Sequence, residues 1–398
     1  MQCTTTSRYT DEEWILIVRD TEVRLNIPRQ RFQYPGISKR EFAKLFDHTL
    51  LKPEASPKQI DQLCSEARQW GFNSVNIRAF YARRAFLNLR GSSVRVSCTV
   101  GFHDPSDEQD LFRALKEANR AYTSGAKEIC LLLSSPLLHT QHYDTIYAAL
   151  AVLRSLCPSP VFLKLVISTQ TLREADVVAA CVLARAARFD TVEVGNVSFD
   201  GRTTIEASEY DVRLVKGGVQ AAEEEEMDWR AMDERKRRVA PSTRQHQYHL
   251  HHHQRTHSND SMVSEEESPG TSEANGSDDW GYGQTFISRA REASQRASAL
   301  LVRRTASLTK PMGVKASGEI KSLGDAARML EAGATRIGTS HTVEIMKEAR
   351  ERIEHVGDVD QWVKANLARD MGWRNSRLTR FGAGELEPGQ LTRWYTER

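Results

Sequence analysis

The sequence predicts an α/β chain folded as a closed (β/α)8 TIM barrel with one long disordered insertion between helix six and strand seven. Three observations lead there. Short apolar segments recur along the chain, each followed by a stretch with helical spacing. Counting them gives eight strands, near Asp47, Val75, Val96, Ile129, Leu163, Val192, Val314 and Ile337. The rhythm breaks once, over about 217–307, and then resumes. Eight strand–helix units in one domain argue for a closed barrel over an open doubly wound sheet.

The first apolar segment is LFDHTLL (45–51), and the helix SPKQIDQLCSEARQWG (56–71) follows, with a serine N-cap and a glycine stop. SVNI (74–77) precedes a helix from Tyr81, and VRVSCTV (94–100) precedes one over Glu108–Thr123. EICLLL (128–133) leads to a helix near Tyr143–Leu156, and VFLKLVI (161–167) to one over Thr171–Ala187. TVEVGNV (191–197) leads to a helix around Ala207–Val215. After the break come MGVKAS (312–317), a helix over Leu323–Ala332, TRIGTS (335–340) and a helix over Thr342–Ile353.

The interrupting segment contains EEEE (Glu223–Glu226), RKRR (Arg235–Arg238), six of the chain's twelve histidines and a Ser/Glu/Gly-rich run, and a helical stretch (285–304) ends it. Such composition buries too little apolar surface to offset chain entropy, so disorder is expected. Its place between a helix and the next strand puts it at the bottom of the barrel, away from the C-terminal face where active sites lie. The expected division is an N-terminal extension (1–38), strands one to six (39–216), the insertion (217–307), strands seven and eight (308–354) and a C-terminal tail (355–398).

With 39% hydrophobic residues in 398, the chain has material for a full core. A formal net charge of +2 gives no general reason for nucleic acid or membrane as partner. No signal peptide is expected, and no stretch approaches the roughly 18 apolar residues of a membrane span. Six cysteines without a CxxC pair predict reduced core thiols and a cytoplasmic protein.

Polar residues at strand ends are the candidates for chemistry: Asp47 on strand one with Lys52 beyond it, Lys164 within strand five, Lys315 ending strand seven, and Thr339–Ser340 ending strand eight. Loops after strands seven and eight commonly form a phosphate cup in such barrels, and ASGEI and GTSHT carry the small residues and hydroxyls for it.

FDHTLLKPEAS (46–56), GFNSV (71–75), GAKEI (125–129), LKLVI (163–167), DVRLV (211–215), GVKASGEI (313–320) and GATRIGTS (333–340) together resemble the deoxyribose-phosphate aldolases, over about Lys39–Ile353 apart from the insertion. The resemblance implies a TIM-barrel class I aldolase of deoxyribonucleotide catabolism. Such an enzyme cleaves 2-deoxy-D-ribose 5-phosphate reversibly to glyceraldehyde 3-phosphate and acetaldehyde through a lysine Schiff base. It uses no metal or other cofactor, and its partner is a small-molecule sugar phosphate; a homo-oligomer stays open. Lys315 matches the helper lysine that lowers the nucleophile's pKa, and Ser317, Gly318, Gly338, Thr339 and Ser340 match the phosphate-binding loops.

The match fails on strand six. The family places its imine lysine there, whereas no lysine occurs between Lys164 and Lys216. Glu193 stands at that position when aligned from the preceding helix, and Val197 when aligned back from DVRLV. Cys130 replaces the family's strand-four aspartate, Ser168 a glutamate after strand five, and Glu319 the second glycine of the strand-seven turn.

Lys315 is therefore either a helper lysine or relocated nucleophile, or the partner of Glu193 or Asp47 in a buried ion pair. Lys164 suits a carboxylate partner better than a nucleophilic role. Asp47 fits a substrate-hydroxyl ligand or a turn cap, Glu193 a proton-transfer base, and Cys130 a packed thiol. His103 near the mouth and Tyr395 in the tail complete the candidates. The functional readings are the family aldolase reaction, a non-catalytic sugar-phosphate-binding relative, and a different enzyme with Glu193 as base.

Overall fold

The computed structural model describes residues 9–37, 40–102, 110–133, 135–197, 204–205, 207–239 and 310–356. Its strands are β1 (Phe46–Leu50), β2 (Ser74–Arg78), β3 (Arg95–Val100), β4 (Glu128–Leu132), β5 (Phe162–Ile167), β6 (Thr191–Val197), β7 (Thr204–Ile205), β8 (Gly313–Ser317) and β9 (Arg336–Thr339). All but β7 run parallel, and the pairings β5–β6, β6–β8 and β9–β1 close the ring as a (β/α)8 barrel. The short β7 pairs antiparallel with the end of β6.

The helices are α1 (Asp11–Arg24), α2 (Arg40–Ala43), α3 (Pro57–Trp70), α4 (Ala82–Asn88), α5 (Asp110–Thr123), α6 (Ser135–His139), α7 (Tyr143–Leu156), α8 (Glu174–Ala186), α9 (Glu209–Val239), α10 (Leu323–Glu331) and α11 (Thr342–Val356). The expected caps form: Ser56 makes a capping box with Gln59 at the start of α3, and Gly71 ends the helix at φ +71, in the left-handed region that favours glycine.

Side chains alternate across a strand, and here the two faces differ sharply in chemistry. Val75, Ile77, Val96, Cys98, Ile129, Leu131, Leu163, Leu165, Val192, Val194, Val314 and Ile337 face the helices and join the main apolar core. The opposite parity, facing the axis, is charged or polar over much of its length: Asp47, Ser74, Ser97, Glu128, Lys164, Glu193, Lys315 and Arg336, all buried. The apolar core is thus a ring between strands and helices, around a polar interior.

The sixth barrel helix departs from expectation. Its spacing suggests an end near Val215, but α9 runs on through Gly217–Gly218 to Val239. The two glycines are sites of close approach, not a stop. A Cβ on Gly217 would come within 2.6 Å of the Asn26 carbonyl oxygen, and one on Gly218 within 3.1 Å of Cys181 Sγ. Val212, Val215, Val219 and Ala222 continue a buried helical stripe through them. From 240 to 307 the expected insertion lies outside the described residues, as do the histidine tract, His103 and Tyr395.

Over 9–37, the expected N-terminal extension belongs to the barrel's outer layer. Helix α1 lies on α7, α8 and α9. Trp14, fully buried, sits between Tyr9 and Tyr147, with ring centroids 5.0 and 5.1 Å away. Arg213 donates to the carbonyls of Pro28 and Gln30, and Phe32 N–H donates to Glu331 O. Where the chain returns at 310, Glu223 of α9 accepts from Met312 N–H and pairs with Arg185, which also donates to Lys310 O. Among the described residues no helix is long and apolar enough to cross a membrane, and Cys64, Cys98, Cys130, Cys157 and Cys181 are buried free thiols.

Candidate functional site

Asp47, Lys164, Lys315 and Glu193, the four residues the sequence offers for catalysis, converge inside the barrel. Two of them sit deeper than expected: Asp47 is the second residue of β1 and Lys315 the third of β8, so neither ends its strand. Register sets Glu193 directly beside Lys315. Lys315 Nζ lies 2.9 Å from Glu193 Oε1 and 3.3 Å from Asp47 Oδ2. Val197 lies further along β6, where the strand meets β7.

Lys164 Nζ is held 2.6 Å from Glu128 Oε2 and 3.0 Å from Asp47 Oδ2, with Ser97 Oγ at 3.3 Å. Arg336 bridges the same two carboxylates, reaching Glu128 Oε2 at 3.0 Å and also pairing with Asp47. Ser74 Oγ donates to Asp47 Oδ1 at 2.7 Å, and Asn73 Nδ2 at 3.2 Å. Three cations (Lys164, Lys315, Arg336) thus face three anions (Asp47, Glu128, Glu193) in a buried network. Desolvating each ion costs several kcal/mol, which only such mutual pairing offsets.

Burial by itself would raise the Asp47 carboxyl, but Arg336, Lys164, Lys315 and the Ser74 hydroxyl together hold it far below the ordinary carboxylate range. Glu128 is likewise lowered, with burial opposed by Lys164 and Arg336. Burial and Arg336 press Lys164 to lose its proton, yet Asp47 and Glu128 outweigh them and keep its pKa above the ordinary lysine value. A lysine so held stays protonated and cannot attack a carbonyl. Burial pushes the Cys130 thiol up, and its Sγ rests 3.3 Å from Ser97 Oγ. It is a packed neutral thiol, in keeping with the expectation. Asp47, with both oxygens engaged, has little left to offer a substrate hydroxyl.

Glu128 and Arg336 are members of this network that the strand-end search misses. Each opens its strand, so a search for residues at C-terminal ends passes over them. The available signal was parity: Glu128 is two residues from Cys130, and Arg336 two from Gly338, on the inward face.

The residues expected to hold phosphate come together at the ends of β8 and β9, but most of their donors are engaged within the protein. Ser317 Oγ donates to Glu193 Oε1 at 2.5 Å. Gly318, at φ +130, donates its N–H to Gly338 O at 3.2 Å. Thr339 Oγ1 donates to Ile320 O and accepts from His341 N–H. Gly338 makes room for the lysine, since a Cβ there would come within 2.5 Å of Lys315 Cε. Ser340 is exposed. The N-terminus of α10 is already capped by carboxylates: Asp325 accepts from the N–H groups of Lys321 and Ser322, and Glu348 from that of Leu323. Glu319 pairs with Lys321 at 2.8 Å.

Above the charges the inward positions split into two walls. On β6, β8 and β9 they are Gly195, Ser317 and Gly338; on β4 and β5, Leu132 and Val166 pack with Cys130 and Phe102 as a separate apolar cluster. Glu193 is asymmetric. Its Oε1 takes both Ser317 and Lys315, while the buried Oε2 has no hydrogen-bond partner among the described residues. Lys315 Nζ likewise makes no contact at a hydrogen-bond angle.

Stability should respond to acid in two stages. His48, whose ring nitrogens meet Glu66 Oε2 at 2.8 Å and Thr342 Oγ1 at 2.6 Å, has a pKa lowered mainly by burial. Its contribution is full above the ordinary value of 6.5 and is lost as pH falls below it. The contributions of Asp47 and Glu128, both depressed, persist to their ordinary values of 3.8 and 4.5 and are lost below them. Urea midpoints measured from pH 8 to pH 3 should therefore fall gently below about 6.5 and steeply below about 4.5. A flat profile down to pH 4 would contradict the His48 assignment.

No family model matches the chain. Among curated proteins, a deoxyribose-phosphate aldolase of Coccidioides immitis is 32% identical over 195 residues, covering 49% of this chain and 72% of the relative. One of Clostridium kluyveri is 36% identical over 153 residues, covering 38% of this chain and 68% of the relative. Among solved structures, one from Coccidioides immitis named for the same enzyme superposes with TM-score 0.59 at 24% identity, covering 87% of this chain and all of that one. A second, named QR15, an aldolase, superposes with TM-score 0.51 at 19% identity over 79% of this chain and 98% of that one. These structures share the barrel fold, and the sequence kinship assigns the chain to the deoxyribose-phosphate aldolase family.

Proposed function

We propose that this family member binds a sugar phosphate of the 2-deoxyribose 5-phosphate type at the C-terminal mouth of the barrel without forming a Schiff base. The observation that carries this reading is the contact of 2.9 Å between Lys315 Nζ and Glu193 Oε1. Of the two strand-six positions at which the resemblance can place the imine lysine, 193 holds a carboxylate paired with Lys315 and 197 a valine, and neither can form an imine. Lys164 is committed to Asp47 and Glu128. The ligand class comes from the relatives' name, and the exposed Ser340, two residues before α11, remains available to its phosphate.

A second reading, aldol cleavage of 2-deoxyribose 5-phosphate by Lys315 as relocated nucleophile, is favoured by one observation: Lys315 Nζ, though ion-paired with Glu193 and Asp47, makes no hydrogen bond among the described residues. Borohydride trapping separates the two. The protein is incubated with 2-deoxyribose 5-phosphate, reduced and mapped by mass spectrometry, alongside a thermal melt with the ligand. The expected result is no adduct and a raised melting temperature. An adduct on Lys315 would establish the second reading, and no adduct with no thermal shift would reject binding of this ligand.

A further inference from the structure

We propose that Glu193 and Lys315 form an enolising pair that works without an imine on a ligand bearing an aldehyde or ketone. The inference rests on the non-covalent binding proposed above and adds chemistry to it. A buried carboxylate oxygen without a donor is uncommon in a folded protein and asks for an explanation. Glu193 Oε2 is such an atom, and its partner oxygen is fixed by Ser317 Oγ at 2.5 Å and Lys315 Nζ at 2.9 Å. The other carboxylates of the interior, Asp47 and Glu128, are each shared between two or more cations. Glu193 is therefore the interior carboxylate best placed to accept a further proton.

The surroundings suit a small carbonyl compound. Toward the mouth from Glu193 and Lys315, the inward positions on β6, β8 and β9 are Gly195, Ser317 and Gly338, and the side chain over Gly195 is the apolar Val166, whose Cγ1 a Cβ there would meet at 2.8 Å. The facing wall of Leu132, Val166 and Phe102 is apolar and fits a carbon skeleton. With the carbonyl oxygen against the Lys315 ammonium, the α-carbon, the one bonded to the carbonyl carbon, is turned to Glu193.

The step is balanced as written. The C–H bond of that carbon breaks, and its proton passes to Glu193 Oε2. The electron pair forms the C=C bond and moves negative charge onto the carbonyl oxygen, beside Lys315. Return of a proton from Glu193, after exchange with solvent, restores the carbonyl compound with a solvent-derived hydrogen. A general base in this position contributes about 100-fold or more to rate.

The test uses the full chain and 2-deoxyribose 5-phosphate in D2O, with the C2 protons followed by proton NMR. Exchange faster than in buffer is expected, unchanged after the protein has been treated with ligand and borohydride. Glu193→Gln should slow it about 100-fold or more while the ligand still raises the variant's melting temperature. Exchange abolished by borohydride would indicate an imine and overturn the pair, as would a Glu193→Gln rate equal to wild type. Ligand binding without exchange overturns this inference and leaves the binding reading standing; no thermal shift removes both. Should the glutamine variant fail to fold, the wild-type rate and its borohydride sensitivity decide the question alone.

Discussion

Lys164→Met is expected to destabilise the protein by about 3–5 kcal/mol, measured as the change in urea unfolding free energy at pH 7. The magnitude comes from what is left behind rather than from the pair itself. Lys164 is fully buried, 2.6 Å from Glu128 and 3.0 Å from Asp47. Its loss leaves the three interior carboxylates facing the buried Arg336 and Lys315, with the half-exposed Arg95 on Glu128 at 3.2 Å. Methionine matches the aliphatic stem, so cavity formation adds little. The control is the exposed Glu319–Lys321 pair, where Glu319→Gln should change stability by less than about 1 kcal/mol. A Lys164→Met cost as small as that of the control would mean that the interior network is not held by its charges.

Glu193→Lys is expected to convert a protein that gives no borohydride-trapped adduct into one that gives a stable adduct at position 193 with 2-deoxyribose 5-phosphate. Register sets position 193 beside Lys315. A second ammonium so close to the first, in a buried site, disfavours double protonation. One of the two amines is then free to attack a carbonyl at neutral pH. The substitution also removes an anion from a balanced network, so the variant should unfold at lower urea concentration than wild type. Mass spectrometry after reduction reads the outcome, and a folded variant with no adduct would show that position 193 does not face the ligand. Turnover is not expected to follow from imine formation alone, because Cys130, where the resemblance calls for a proton-moving aspartate, is a buried neutral thiol.

Much of the barrel was legible from periodicity alone. The eight strands fall where the apolar segments predicted them, and the Ser56 and Gly71 caps end α3 as the residues indicate. The sixth helix was placed short of its end because the charged composition from about 217 onward reads as insertion. The closeness of Asn26 and Cys181 to Gly217 and Gly218 shows that this part of the helix packs on the barrel. For the site, the sequence named Asp47, Lys164, Lys315 and Glu193, and weighed the pairing of Lys315 with Glu193 or Asp47. It could not show that both contacts occur together. Arg336 and Glu128 escaped because they lie 208 residues apart in the chain and meet only when β4 and β9 face each other across the axis. Pairing at that separation leaves no trace in local pattern.

The fastening of Glu223 to Met312 and Arg185 has a consequence for how this chain can change over generations. The chain leaves the barrel and returns to it at one anchored point. The entropy of joining two fixed ends grows only logarithmically with the residues between them, so doubling such a connection costs roughly 0.6 kcal/mol. A flexible connection between two such anchors can therefore gain or lose residues at little cost to the barrel. Selection can lengthen, shorten or replace that stretch while the charged interior is left as it is.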